Sequence, residues 1–328
     1  MNEINWEELI QIDSKWVDRQ LNLHFEEKNL KIAVRCYTPK ASGTQILPIS
    51  LAQELALMIP EYSLSEEKKR KIENEIRDSY GEENVSKYSE RLISQISRDF
   101  FGKKNPETDG KYGELLLFAL VESILGCKMV AHKIKSLSNF KDQVKGGDGI
   151  FLGNYILENG ESHPAYLIGE SKITQSYSSA VDQAFESLDR FHAPETFTEF
   201  LTSEFIVAKE NIIVGENVDE IYNRLTPSNS IFKNQILVHP VLIFFNTKKI
   251  GSCEGSASTP TELEALIKEK LLSEKTRYID VINSKVQSFE KIQQVYLDFF
   301  IFPFNNIETF RNSLYKFIHG VNYISEND

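Results

Sequence analysis

The chain has 328 residues, of which 41% are hydrophobic, and its formal net charge is −11. The composition is ordinary for a globular protein with a sizeable core, and the length fits one large domain or two modest ones. Acidic residues outnumber basic ones 48 to 37, which argues against a chain that grips nucleic acid with its whole surface. If the chain acts on nucleic acid, we expect either a local basic groove or a partner that does much of the holding.

The amino terminus and the apolar runs predict a soluble, cytoplasmic protein. The first residues contain no basic stretch followed by an apolar run, so no signal peptide is expected. The longest apolar runs, 236–245 and 299–304, are too short to span a bilayer. Cys36, Cys127 and Cys253 form no CxxC pair, so free and mostly buried thiols are predicted.

Residues 1–110 are predicted to form a mixed, partly helical region. Alternating apolar residues indicate an extended hairpin over 21–37, and a short helix is expected over 48–58. A long charged helix is predicted to begin near Ser63, with an interruption at Gly81. A loop rich in glycine and polar residues ends this region and separates it from the next.

Residues 111–250 have a different pattern, because apolar helical and extended segments alternate there. Their order is helix, three strands, helix and strand, which predicts an α/β core with mainly helical N- and C-terminal additions. The predicted elements of this core are a helix over 113–125, strands over 129–134, 148–157 and 165–173, a helix over 178–200 and a strand over 235–245.

Residues 251–328 are predicted to be a helical extension that packs on the core. Thr259 as N-cap, followed by Glu262, is typical of a helix start. The aromatic run 296–304 is expected to be core, with a partner-binding surface as the second interpretation. The GSCEG segment at 251–255 has the spacing of a hydrolase nucleophile elbow, but no strand ends directly before it, so a flexible loop is expected.

Three side chains in the predicted core carry the chemistry. Asp148 follows two glycines at the mouth of one strand, and Glu170 and Lys172 end the next strand. Side chains two apart on a strand point to the same side, so Glu170 and Lys172 share a face. If the two strands pair as a hairpin, Asp148 falls near Glu170. Two carboxylates and one ammonium group then meet in one cluster.

These residue types suit metal-dependent hydrolysis of a phosphodiester. A hard cation polarises the phosphoryl oxygen and activates a water molecule. Mg²⁺ takes carboxylate oxygens and keeps several waters, so Asp148 and Glu170 suffice as its anchors, with Mn²⁺ as an alternative ion. Lys172 is placed to orient the attacking water or to offset negative charge in the transition state.

Glu114 is predicted to assist the metal or its water shell. It begins an otherwise apolar helix, where an ionised group is costly unless it meets a cation or a hydrogen-bond partner. The simpler explanation is that a first-turn acid interacts favourably with the helix dipole. Glu122 is a rival acid on the same helix and ranks lower, because it lies two turns further along. An ExK triplet or a Gly-Asp pair alone is common, so only the joint pattern favours a site.

In order and motif, residues 113–245 resemble the PD-(D/E)xK nuclease superfamily. The resemblance implies a restriction-endonuclease-like αβββαβ core in which Glu114 matches an acid that many members place on the first helix. Gln183, on the following helix, is compared with a glutamine that some exonuclease-like members carry. The residues that match the core positions of the superfamily are Asp148, Glu170 and Lys172.

A more specific resemblance is to the HamA family, the small subunits of the Hachiman anti-phage defence system. It rests on GELLLFALVESILG, GGDGIFLG and YLIGESKITQS in their spacing. The resemblance implies a metal-dependent DNA endonuclease or exonuclease that works with HamB, a superfamily 2 helicase, and such a partner would explain the acidic charge. This chain has no GxxxxGK[ST] loop of its own. Two alternatives stay open: an inert nuclease-fold subunit that binds or regulates the helicase, and a nuclease directed at RNA.

Overall fold

In the computed structural model, which describes residues 4–103, 105–107, 109–132, 148–192 and 217–324, eight strands form one mixed β-sheet. Their spatial order is β1-β2-β8-β7-β5-β4-β3, and β6 pairs with β7 beside the end of β5. The strands are β1 (Leu21–Asn29), β2 (Ile32–Pro39), β3 (Lys128–Ala131), β4 (Ile150–Ile156), β5 (Ser162–Ile168), β6 (Glu170–Thr174), β7 (Ile236–Asn246) and β8 (Tyr296–Phe304).

Helices pack around this sheet. The described α-helices are α1 (Trp6–Leu9), α2 (Trp16–Gln20), α3 (Ile49–Leu57), α4 (Ile59–Ser63), α5 (Glu66–Tyr80), α6 (Val85–Phe101), α7 (Lys111–Leu120), α8 (Tyr177–His192), α9 (Val218–Arg224), α10 (Ser230–Lys233), α11 (Lys248–Ser256), α12 (Pro260–Ser288) and α13 (Ile307–His319). A π-helical turn, Val121–Leu125, continues α7. Every helix in the described ranges is too short or too polar to cross a membrane.

Strand direction follows the burial of each segment. The pairs β1–β2, β3–β4 and β4–β5 are antiparallel, whereas the pairs β2–β8, β7–β8, β5–β7 and β6–β7 are parallel. The central strands β7 and β8 are apolar and buried along almost their whole length. Continuous apolar runs of this kind are typical of parallel strands that are covered on both faces. The mixed α/β architecture expected from the sequence is therefore present.

The aromatic segment 296–304 corrects the prediction for the C-terminal region. It forms β8, a central strand between β2 and β7, so the extension 251–328 is not purely helical. A short continuous apolar run has no period that separates a buried strand from a buried helix, which is why the sequence did not distinguish them. Its assignment to the core is confirmed. The sheet takes strands from all three predicted regions, and the boundaries at 110 and 250 stay predictions.

Several local predictions are confirmed and others are wrong. The hairpin over 21–37 and the interruption at Gly81 are present. The cap of α5 is Ser65 rather than Ser63, because the Ser65 side chain accepts from the backbone N–H of Lys68. The segment 251–255, predicted to be a loop, lies within α11.

The helix over 113–125 and the strands over 148–157 and 235–245 are present, whereas the predicted strand over 165–173 is divided at Gly169 into β5 and β6. The predicted strand over 129–134 is described only to residue 132, and the helix over 178–200 only to His192. Thr259 caps α12 by accepting from the Glu262 N–H, as expected. The three cysteines are free and buried, which confirms their prediction as structural thiols.

Candidate functional site

Two glycines allow helix α7 to lie very close to the sheet at β6. A Cβ at Gly113 would stand 3.0 Å from the Ser171 hydroxyl oxygen, and a Cβ at Gly169 would stand 2.9 Å from a Leu117 methyl group. Real Cβ atoms almost never come this close to a neighbour, so a larger residue at either position would push the helix away. This close approach holds helix α7 against Ser171 and Ile173 of β6.

Asp148 is tied to the strand break before β6. Its backbone N–H donates to the Gly169 carbonyl at 2.7 Å, which extends the β4–β5 ladder by one step. Its carboxylate oxygen Oδ2 accepts from both the backbone N–H and the hydroxyl of Ser171, each at 2.6 Å. Asp148 is buried. The prediction that a hairpin brings Asp148 beside Glu170 is therefore confirmed at the level of the backbone.

Glu170 and Lys172 lie on the same side of β6, as their spacing predicts. The Lys172 ammonium group donates to Glu170 Oε1. The side chain of Glu170 is only 4% exposed, whereas that of Lys172 is 22% exposed. The carboxylate is therefore buried at the floor of the cluster, and the ammonium group reaches toward solvent.

Glu114 is held by a residue that the sequence did not point to. The Tyr62 hydroxyl donates to Glu114 Oε2 at 3.1 Å. Burial raises the pKa of Tyr62 well above its usual value, and the negative charges of Glu114 and Asp148 raise it further. Tyr62 is therefore hydrogen-bonded to Glu114 on the first turn of α7 and also lies within electrostatic reach of Asp148. Tyr62 is 52 residues from Glu114, and no local pattern marks it.

An aromatic wall packs behind Tyr62. Its ring contacts Phe100, Phe101 and Phe118 with centroids 5.4–5.9 Å apart, and His132 at 4.7 Å. Burial lowers the pKa of His132 to about 4, so this imidazole is neutral at physiological pH. No local sequence pattern indicates His132 or the aromatic wall, whereas Ser171 stands inside the ExK triplet that the sequence singles out.

One other predicted residue, Gln183, lies away from the cluster. Gln183 lies exposed on α8 and donates to the Ser179 hydroxyl at 3.1 Å. Within the described ranges, no hydrogen bond or ion pair joins it to the acidic cluster. Gly146 and Gly147, which precede Asp148, lie outside the described residues.

The rival acid Glu122 has a structural explanation. It is 1% exposed, pairs with the Lys128 ammonium group at 2.9 Å and accepts from the Met129 N–H at 3.0 Å. Burial raises its pKa, and the Lys128 charge opposes that rise. Both contacts are made by Oε1, whereas Oε2 is buried without a hydrogen-bond partner in the described part of the chain. The pair with Lys128 nevertheless gives Glu122 a structural role inside the core at β3.

A family model described as HamA matches residues 11–318, which include every strand of the sheet and every residue of the cluster. The chain belongs to the HamA family. This membership supports a Hachiman defence protein. No curated protein matches the chain significantly.

The carboxylates of this HamA-family chain fit part of the coordination shell of Mg²⁺. Within the described residues, no three His, Cys, Asp or Glu side chains form a ready-made metal group. Mg²⁺ in phosphoryl-transfer sites is usually held by one or two carboxylates, and waters and substrate phosphates complete its shell. Asp148 and Glu170 fit that two-carboxylate pattern. Glu114, whose Oε2 is bound by Tyr62, fits a contact with the water shell better than direct ligation.

Proposed function

We propose that this HamA-family chain is the metal-dependent deoxyribonuclease subunit of a Hachiman defence complex. The observation that carries the proposal is the placement of Asp148, just before β4, next to the start of β6, which carries Glu170 and Lys172. Asp148 is bound to Ser171, and Ser171 stands between Glu170 and Lys172, so two carboxylates and an ammonium group are fixed within one strand end.

Asp148 and Glu170 are the proposed holders of Mg²⁺. When bound, the ion would polarise a phosphoryl oxygen of the substrate and lower the pKa of a coordinated water. Ser171 keeps the Asp148 carboxylate oriented through two hydrogen bonds to one oxygen. Tyr62 in the same way fixes Glu114, whose proposed role is to accept a hydrogen bond from a water molecule near the site.

Lys172 is the proposed partner of the attacking water and of the phosphate. Its ammonium group is fixed in place by Glu170 yet is more exposed than that carboxylate, so a phosphate oxygen can approach it from solvent. An ammonium group in this position offsets the negative charge that grows on the phosphate in the transition state. Its value is positional, because a lysine at its ordinary pKa is a poor base at neutral pH.

A helicase partner, HamB in the family resemblance, is part of this proposal. The chain carries an acidic excess and lacks the P-loop of a helicase. A partner that unwinds DNA and delivers it would supply the grip that a chain of charge −11 does not provide over its whole surface. Action in the cytoplasm, where phage DNA enters, belongs to the same proposal.

One observation favours a second candidate, an inert nuclease-fold subunit that controls the helicase. Within the described residues no three-ligand metal group is present, and Lys172 is engaged by Glu170. Under this alternative the Glu170–Lys172 pair only stabilises the strand end. The two candidates differ in whether Mg²⁺ and a phosphodiester are handled at Asp148.

The deciding experiment measures DNA cleavage with Mg²⁺, with and without the helicase partner and ATP. The variants are Lys172→Ala and, as a matched control, Lys248→Ala, which removes an exposed lysine on α11. We expect Lys172→Ala to lose about a hundredfold or more of the cleavage rate, and Lys248→Ala to keep it. Cleavage at the native rate by Lys172→Ala would refute the assigned chemistry. Native protein that never cleaves under these conditions would favour the inert subunit.

A further inference from the structure

A second, positively charged feature lies next to the aromatic wall. Helix α6, the end of α13 and Lys103 line an open cavity of about 570 Å³. The residues that line it are Glu90, Arg91, Ser94, Gln95, Arg98, Asp99, Lys103 and His319. On a chain of charge −11, a cavity that gathers three cations is unusual and calls for an explanation.

The spacing on α6 places the cations at the centre of this cavity. Arg91 and Arg98 are seven residues apart, so they lie two turns apart on the same face, about 10 Å along the helix axis. At 100° per residue, Glu90 and Asp99 fall on opposite flanks of that face. The acids therefore stand at the rim, and the two guanidinium groups occupy the middle.

Among the described residues, Arg91, Arg98 and Lys103 form no ion pair. No acid stands three or four residues from either arginine along α6, and Lys87 stands one turn before Arg91 on the same face. Like charges at this spacing destabilise a helix by about 0.2–0.5 kcal/mol per pair. An unpaired basic face of this kind is poorly explained by folding alone.

His319 lines the same cavity and lies near two of these cations. Burial lowers the pKa of His319, and the positive charges of Lys103 and Arg98 lower it further, whereas a hydrogen bond with the Gly102 backbone and the charge of Asp109 oppose this shift. The ring also contacts Tyr315 on its own helix. Its Nε2 atom is buried, with no hydrogen-bond partner in the described part of the chain. His319 thus lines the cavity with an imidazole whose pKa is lowered in part by the nearby cations.

Both walls of the cavity connect to the proposed catalytic cluster. The last turn of α6 ends in Phe100 and Phe101, whose rings pack on Tyr62, the residue that binds Glu114. Helix α13 reaches the cluster from the other side, because Arg311 donates to the carbonyl of Ile173 on β6, at 3.4 Å. Both helices that line the cavity therefore also contact residues that border the cluster.

We propose that the α6–α13 cavity binds the phosphate backbone of the DNA, with Arg91 and Arg98 as its principal contacts and Lys103 beside them. The inference rests on the proposed DNA-directed function and adds a positioning surface to it. It also accounts for the charge of the chain, since a local basic track can hold a strand while the acidic remainder repels DNA elsewhere. Contacts of this kind fix the register of a strand without reading its sequence.

The test is DNA binding by the full chain in EDTA, where no metal-dependent cleavage occurs. Fluorescence anisotropy would follow a labelled single strand and a labelled duplex over a range of salt concentrations, so that the two forms of DNA are separated. The variant is Arg91→Glu/Arg98→Glu. The matched control, Lys68→Glu/Lys71→Glu, makes the same change of charge on exposed positions of the neighbouring helix α5. Arg91→Gln/Arg98→Gln provides a milder pair, and circular dichroism checks that each variant is folded.

We expect the reversal on α6 to weaken binding about tenfold or more and to lower the slope of log affinity against log salt. The loss of two phosphate contacts lowers that slope by about 1.4 for a single strand and about 1.8 for a duplex. The control on α5 should bind within about twofold of native protein.

The proposal is overturned if native protein does not bind DNA at low salt. It is also overturned if the charge reversal on α6 and the control reversal on α5 weaken binding equally. This outcome is separable from that of the nuclease proposal. A chain that binds through α6 but never cleaves refutes only the nuclease activity. A chain that cleaves while the α6 variants bind normally refutes only the basic track.

Discussion

Two acid–lysine pairs lie in the same core, and their surroundings differ. Glu122 and Lys128 have side chains that are 0% and 7% exposed, and the carboxylate is also bound by the Met129 N–H. Glu170 and Lys172 have side chains that are 4% and 22% exposed, and Ser171 between them binds the buried carboxylate of Asp148. The first pair is enclosed by the core, whereas the second has one member that reaches solvent.

The comparison shows that an acid next to a lysine does not define a site. A buried pair that is fully surrounded by protein serves the fold, because removing one partner leaves an uncompensated charge. In the second pair, a further carboxylate is bound to the residue between the two partners, and the lysine reaches solvent. Such a pair can exchange its partners for a metal ion and a phosphate. The predictions below test this distinction.

The largest difference is expected in stability. Glu122→Ala should lower the free energy of unfolding by about 3–5 kcal/mol, because it leaves Lys128 charged and buried. Glu170→Ala should cost less than half as much, since Lys172 can turn to solvent. Urea unfolding of both variants measures the two values, and equal losses would remove the distinction between the pairs.

The opposite ranking is expected for DNA cleavage. Glu170→Gln removes a proposed metal anchor and should lower the cleavage rate by about 10²–10³-fold in the presence of Mg²⁺ and the helicase partner. Glu122→Gln keeps the shape of its side chain and should cleave within a few-fold of native, provided that it is folded. Equal activity of Glu170→Gln and native protein would contradict the assignment of Glu170.

The stabilisation of the folded protein by Mg²⁺ should distinguish the site beside the Glu170–Lys172 pair from the Glu122–Lys128 pair, without any measurement of activity. At ten times its dissociation constant, Mg²⁺ should stabilise the native protein by about 1.4 kcal/mol, because it binds the folded state alone. Thermal unfolding with and without Mg²⁺ shows the shift. It should vanish in Asp148→Asn and persist in Glu122→Gln. A shift that survives Asp148→Asn would place the ion elsewhere.

The smallest effect is expected for the residue that orients Asp148. Ser171→Ala removes one of two hydrogen bonds to Asp148 Oδ2 and leaves the backbone N–H in place. The expected loss is about 1 kcal/mol, which corresponds to about a fivefold weaker apparent affinity for Mg²⁺. A Mg²⁺ titration of the cleavage rate measures it, and Ser179→Ala on α8 is the control. Loss of the maximal rate at saturating Mg²⁺ would mean that Ser171 does more than orient Asp148.

The sequence by itself determined the local part of the site. The alternation of strands placed Glu170 and Lys172 on one face, and the β4–β5 hairpin carried Asp148 to them, because these contacts depend only on periodicity and a turn. The α/β class followed from the order of helical and extended segments. The family match over 11–318 agrees with the resemblance that the motifs suggested.

Only the tertiary structure decided which distant residues complete these elements. Tyr62 reaches Glu114 across 52 residues, and β8 enters the sheet between β2 and β7 from a segment whose apolar run fits a helix equally well. The basic face of α6 lines a cavity because the end of α13, with His319, lies opposite it in the folded chain. The physical reason is that such contacts are selected by shape and burial between segments far apart in the chain, and no local period records which partner a buried face will meet.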